Sequence, residues 1–144
     1  MSLRTDVEQH RLLVEELVIV FRQLGYRILG ADGVEGLPRP KKLHNDGYGD
    51  QRDKMPDVYA FDEKERRYII GEAKTGKGDL ETEHALTQYN VFLDQFDRST
   101  GRQALMYIIL PESKIPEFNS LITHYIHRDY WHSIVVVRSK RWKE

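Results

Sequence analysis

Asp57, Glu72 and Lys74 are residue types that together support metal-assisted hydrolysis, and they lie in two stretches that read as neighbouring strands, Met55 to Phe61 and Tyr68 to Lys74. A hard cation such as Mg²⁺, with Mn²⁺ as a substitute, prefers carboxylate, carbonyl and water oxygens and keeps several waters. Asp57, Glu72 and the backbone carbonyl of Ala73 supply three such oxygens. Side chains alternate along a strand, so Glu72 and Lys74 point to one face and Ala73 to the other. The lysine then sits beside a metal-bound water, where its charge lowers the water's pKa, stabilises a developing phosphorane, or both. This combination favours phosphodiester hydrolysis over sugar or acyl chemistry. The competing reading is an ion pair between Glu72 and Lys74 at the surface. Against it stands the run Ile69-Ile70, which draws the strand into the core, where an acid needs a partner and a metal is a good one.

The elements that must position these residues follow from periodicity. Leu13, Leu17, Val20, Phe21 and Leu24 predict a helix from about Asp6 to Leu24, with Thr5 and Glu8 as a capping box and Gly25 as its end. Tyr26 to Leu29 is a short candidate strand. From Gly30 to Lys54 the glycines and two prolines predict a long loop at about 30–55, read as functional because it ends directly on Pro56-Asp57. Strands at Asp57 to Phe61 and Arg67 to Ala73 form a hairpin around Asp62 to Arg66. A helix over about Glu81 to Phe96, an almost wholly apolar strand Ala104 to Leu110, a helix over Ile115 to Ile126 and a strand His132 to Val137 complete the order α-β-β-β-α-β-α-β. No internal repeat or linker divides residues 1–144, which read as one domain.

At Pro56-Asp57 and Glu72-Ala73-Lys74 the sequence resembles the PD-(D/E)XK nuclease superfamily, the fold shared by many restriction endonucleases, junction resolvases and repair nucleases. The resemblance implies an α/β fold with a three-layer α/β/α restriction-endonuclease-like core and a mixed central sheet. It implies a metal-dependent nuclease acting on DNA, more often an endonuclease, in which Asp57 and Glu72 bind Mg²⁺ and Lys74 assists the attacking water. Many relatives place an acid on the first helix facing the site, and Glu16 is the residue carried over. A subgroup carries a Gln on the helix after the motif with a Tyr four residues later. Here Gln88 is followed at once by Tyr89, with Phe92 at the fourth place, so only Gln88 is carried over. A small nuclease domain of this kind often needs a second copy to cut both strands, so a homodimer is an expectation.

The long loop contributes Arg39, Lys41, Lys42, Arg52 and Lys54 as candidate phosphate contacts, with Tyr48 for stacking on an unpaired base. Asp46, Asp50 and Asp53 counter a uniformly basic surface, and a solvated loop is the alternative. His84 shares a helix face with Gln88 and is a further phosphate candidate, against the reading of a solvated histidine. His10 falls on the buried side of the first helix and reads as a satisfied core histidine. Arg138, Lys140, Arg141 and Lys143 around Trp142 form a basic tail. Formal net charge is −1 over 144 residues, so nucleic-acid binding requires a local patch. Cys is absent, which removes disulfides and thiolate zinc ligation. With no leader-like or membrane-length apolar run, a cytoplasmic protein with DNA or RNA as partner and no membrane is expected. Two readings of other classes stand beside the nuclease: a catalytically silent nuclease-fold protein that binds nucleic acid or a protein partner, and a small interaction protein whose charges are only surface.

Overall fold

The computed structural model describes residues 3–142, with side chains from residue 6 onward. Leu13, Val14, Leu17, Val18 and Phe21 recur at helical spacing and are all buried, which makes one side of α1 (Leu3–Gln23) an apolar face. The helix starts earlier than the capping-box reading of Thr5 and Glu8: Thr5 lies inside it, and its side chain falls outside the described residues. Gly25, at φ +82°, ends the turn that follows, because a left-handed conformation costs glycine nothing.

Then come β1 (Arg27–Ala31), β2 (Val58–Asp62), β3 (Arg67–Ala73), α2 (Glu83–Leu93), β4 (Leu105–Leu110), α3 (Ile115–Tyr125) and β5 (Ile134–Arg138), with short 3₁₀ turns on either side of α3. The sheet has the order β1-β2-β3-β4-β5. Its first three strands are antiparallel neighbours, and β3, β4 and β5 run parallel. Parallel neighbours need crossovers, which α2 and α3 supply. The element order and mixed five-stranded sheet are those expected from the sequence, and they match a restriction-endonuclease-like topology. Element ends differ by a few residues. Helix α2 is shorter than the apolar stripe suggests because Thr82 caps it, its side chain accepting from Ala85 N at 3.0 Å. Strand β5 begins at Ile134 because Arg128–Ser133 winds into a 3₁₀ turn.

Alternation along the strands divides the core into two layers. Val58, Ala60, Ile69, Ala73, Tyr107 and Ile109 meet α1. Tyr59, Ile70, Met106, Ile108 and Leu110 meet α2 and α3 through Tyr89, Phe92, Phe118 and Leu121. Glu72 and Lys74 follow Ile70 at intervals of two and therefore belong to the α2 side. On the opposite side, Gly71 lets α1 come close: a Cβ there would lie 2.6 Å from Leu17 Cδ2 and 3.0 Å from Phe21 Cζ. Gly71→Val is expected to destabilise the protein by about 1–3 kcal/mol, read as a lower denaturant midpoint at unchanged slope. A midpoint equal to wild type would mean that α1 has room to move.

The segment between β1 and β2 is more ordered than a long loop rich in glycine leads one to expect. Ala31 N donates to Pro38 O and Asp32 N to Asp57 O, and Leu43 and Lys54 form an isolated antiparallel bridge. Within that bridge Asn45 acts as a hub, donating to Tyr48 O and Arg52 O and accepting from Gly47 N and Tyr48 N. Polar side-chain to backbone bonds replace the hydrophobic period that would have announced the structure.

Candidate active site

Strand β3 outruns β2 at one end. Val58 pairs with Gly71, and beyond that point the Ala73 N–H faces no backbone of β2. Asp57 fills the gap with its side chain: Oδ2 accepts from Ala73 N at 2.8 Å, while Asp57 N donates to Glu72 Oε1 at 3.2 Å. A carboxylate thus takes over the ladder where the strand stops. In a strand the N–H and C=O of one residue point to the same neighbour, so the Ala73 carbonyl lies on the Asp57 side.

Lys74 comes next. Its Nζ donates to Gln88 Oε1 at 2.7 Å and lies 3.3 Å from Glu72 Oε2 and 5.7 Å from the centre of the Tyr89 ring. The turn that brings α2 above Lys74 is built on Asp79, which accepts from Thr75 N, Gly76 N and the Thr75 hydroxyl. Asp57, Glu72, Lys74 and Gln88, all suggested by the sequence, therefore form one cluster. All four are buried.

Charge is crowded here. Burial and the Asp57 carboxylate push the Glu72 carboxyl up to about 8, against the opposing pull of Lys74. Burial acts to raise Asp57 as well, but the hydrogen bond and charge of His10 and the Ala73 N–H outweigh it and hold Asp57 below the ordinary range. Two carboxyls sharing a dry site retain a proton between them at neutral pH.

His10 is the member of this group that sequence reasoning placed elsewhere. Instead of sitting satisfied in the core, it is partly exposed, with Nε2 3.2 Å from Asp57 Oδ2. Its signal was a polar residue three positions before Leu13 on the apolar stripe of α1. The Asp57 hydrogen bond raises the His10 pKa above its ordinary 6.5, against burial. A base raised on folding contributes stability below about pH 6.5 that is lost as pH rises through the folded value. His10→Ala is therefore expected to lower the thermal midpoint in EDTA more at pH 6 than at pH 9. An equal loss at both pH values would assign the contribution to packing.

Glu16 does not join the cluster. Its two oxygens accept from Ser139 Oγ and Lys140 N, both at 2.7 Å, so this buried acid anchors the C-terminal segment on α1. Within the basic tail, Arg138 pairs with Glu112 and Trp142 stacks near Lys77, while Lys143 lies outside the described residues. Lys54 is buried rather than presented to solvent. Its Nζ lies 2.6 Å from Asp50 Oδ2 and 3.1 Å from His84 Nδ1. Burial and the charges of Lys54 and Lys74 lower the His84 pKa, which favours its neutral form. Tyr48 is half-buried, with its hydroxyl directed at Asp94 Oδ1, 3.4 Å away. Arg39, Lys41, Lys42 and Arg52 are exposed, as candidate phosphate contacts must be.

Among the described residues no group of three or more His, Asp and Glu side chains is arranged to hold a metal ion. The oxygen donors at this site are two carboxylates and a carbonyl. That set suits a hard cation such as Mg²⁺, which usually takes only one or two carboxylates and keeps its waters. Two crowded carboxyls are what a divalent charge would relieve. No helix of the described residues is long and apolar enough to cross a membrane. No family model matches this sequence, and neither a curated protein nor a solved structure matches it; what can be stated is a three-layer α/β/α topology consistent with a nuclease-like fold.

Proposed function

We propose that the chain is a metal-dependent nuclease that hydrolyses phosphodiester bonds in DNA, as an endonuclease, with Mg²⁺ as cofactor and Mn²⁺ as substitute. One observation carries this reading: Asp57 and Glu72 crowd together at the open end of two core strands, with Lys74 3.3 Å from Glu72. Such a cluster disfavours its own metal-free charge state, and a purely structural ion pair would not need the second acid.

Asp57, Glu72 and the Ala73 carbonyl are the groups that would hold the cation. Bound there, it would lower the pKa of a coordinated water and offset charge on the scissile phosphate. Lys74 supplies a fixed positive charge in a site largely closed to water, where it acts more strongly than it would at the surface. Gln88 holds the ammonium in place through its side-chain oxygen. His10 Nε2 lies 3.2 Å from Asp57 Oδ2 and would help to orient that carboxylate.

The test is incubation of the purified protein with plasmid, single-stranded and branched DNA in Mg²⁺, Mn²⁺ or EDTA. Cutting in the first two and none in EDTA is expected, with loss of cutting in Asp57→Asn. DNA binding with no cutting of any substrate would replace this reading with that of a silent nucleic-acid-binding protein.

A further inference from the structure

A second feature lies on the same sheet face, away from the acids. Lys41, Lys42, Tyr59, Tyr68, Phe96 and Arg98 are among the residues lining a groove of about 440 Å³ between the ordered excursion and the segment after α2. Tyr59 and Tyr68 stack with ring centres 5.2 Å apart and planes within 6°, and Lys41 Nζ lies 5.7 Å from the Tyr59 centroid. Phe96 is a large apolar side chain left 54% exposed. The excursion is tied down on this side by Gln95 Nε2, which donates to His44 O at 3.0 Å.

The charges of this groove are not spent on the protein. Among the described residues no carboxylate forms an ion pair with Lys41, Lys42 or Arg98. Asp97, the groove's acid, is turned into its own loop, where it accepts from Ser99 Oγ and Thr100 Oγ1. Elsewhere Arg27, Lys54, Arg102 and Arg138 each meet a carboxylate. A chain of net charge −1 thus keeps three unpaired cations around an exposed aromatic ring.

The position relative to the acids is fixed by register. Tyr59 follows Asp57 by two residues on β2 and pairs with Ile70, which precedes Glu72 by two on β3. At strand rise the Tyr59 floor of the groove is about 7 Å from the acids, and Phe96, which bridges to Gln103 at the level of Arg67, is about 16 Å away, so a strand whose phosphate lies at Asp57 and Glu72 reaches Phe96 about two to three nucleotides further on. We propose that the groove holds an unpaired nucleotide of that strand, its phosphate on Lys41, Lys42 and Arg98 and its base against Phe96, which makes single-stranded or frayed DNA the substrate class. This rests on the nuclease reading for the site that the strand passes. Duplex bases are already stacked and paired and offer no face to Phe96, whereas an unpaired base does.

The test measures binding of the full chain to a labelled oligothymidylate and to a duplex of equal length by fluorescence anisotropy, in EDTA, over a salt series. The single strand should bind at least about ten-fold tighter than the duplex. Lys41→Ala with Lys42→Ala should weaken single-strand binding about ten-fold and lower the salt slope by one to two. Phe96→Ala should weaken it about ten-fold with the salt slope unchanged. Should one variant fail to fold, shown by its circular dichroism, the other carries the test. Equal affinity for duplex and single strand, or folded variants that bind like wild type, would overturn the proposal. Failure of the two readings is separable: groove-dependent binding without cutting in Mg²⁺ or Mn²⁺ removes the nuclease and keeps the groove, and cutting indifferent to both groove variants does the reverse.

Discussion

Lys74→Ala is expected to reduce metal-dependent DNA cleavage by about 10²–10³-fold while cation binding is retained, because the variant removes a preorganised charge and leaves both carboxylates. The ammonium is held by Gln88 at 2.7 Å and by Glu72 at 3.3 Å over the Tyr89 ring, so it cannot be replaced by a mobile surface lysine. Gln88→Ala, which keeps the charge but loses its tether, should cost less, about ten-fold. Single-turnover cleavage at saturating DNA separates the two variants from effects on binding, and Mn²⁺ titration by calorimetry follows the cation. Lys74→Ala cutting within a few-fold of wild type would remove Lys74 from the chemistry and leave it a structural ion-pair partner.

Glu72→Gln should move activity and stability in opposite directions. Its carboxyl is shifted from 4.5 to about 8 by burial and by Asp57. An acid raised on folding makes no difference below the unfolded value, where it is protonated in both states. As pH climbs from about 4.5 to about 8, the unfolded chain loses the proton that the folded chain keeps, so metal-free wild-type protein loses stability through that window. A glutamine has no proton to lose and still offers an oxygen to Asp57 N. The thermal midpoint of Glu72→Gln in EDTA is therefore expected to exceed that of wild type at pH 9 by roughly 3–10 °C and to equal it near pH 4. Cleavage should fall by about 10³-fold or more, because a cation ligand is lost. Cation binding to wild type must release the Glu72 proton, so its affinity should rise with pH through the same window. A Glu72→Gln midpoint at or below wild type at pH 9 would show that Glu72 is not strained in the metal-free fold.

Part of this site was legible because its information is local. Alternation assigns Glu72 and Lys74 to one face of a strand, and a hairpin register needs only the short turn from Asp62 to Arg66 to bring Asp57 alongside. The helices were legible from their apolar stripes, and the buried strand Leu105–Leu110 from its unbroken run of apolar residues. The excursion between β1 and β2 was not, since it is held by the Asn45 hub and by Lys54 meeting Asp50 and His84, contacts that leave no period in the chain. Glu16 was assigned by position on α1, yet its partners Ser139 and Lys140 come from the far end of the sequence.

What the sequence determined by itself is the element order and the shared strand face of Glu72 and Lys74, because hydrophobic periodicity and the two-residue repeat of a strand act over a few residues. The tertiary structure alone decided that α1 presents His10 to Asp57 while Glu16 anchors the C-terminal segment. It also decided that Gln88 meets Lys74, and that unpaired cations surround Phe96 on the same sheet face. Those outcomes depend on how closely α1 can approach Gly71 and on where Asp79 and Thr82 start α2. A shift of one residue in either would turn a different side chain to the site, and only the packed core selects among those alternatives.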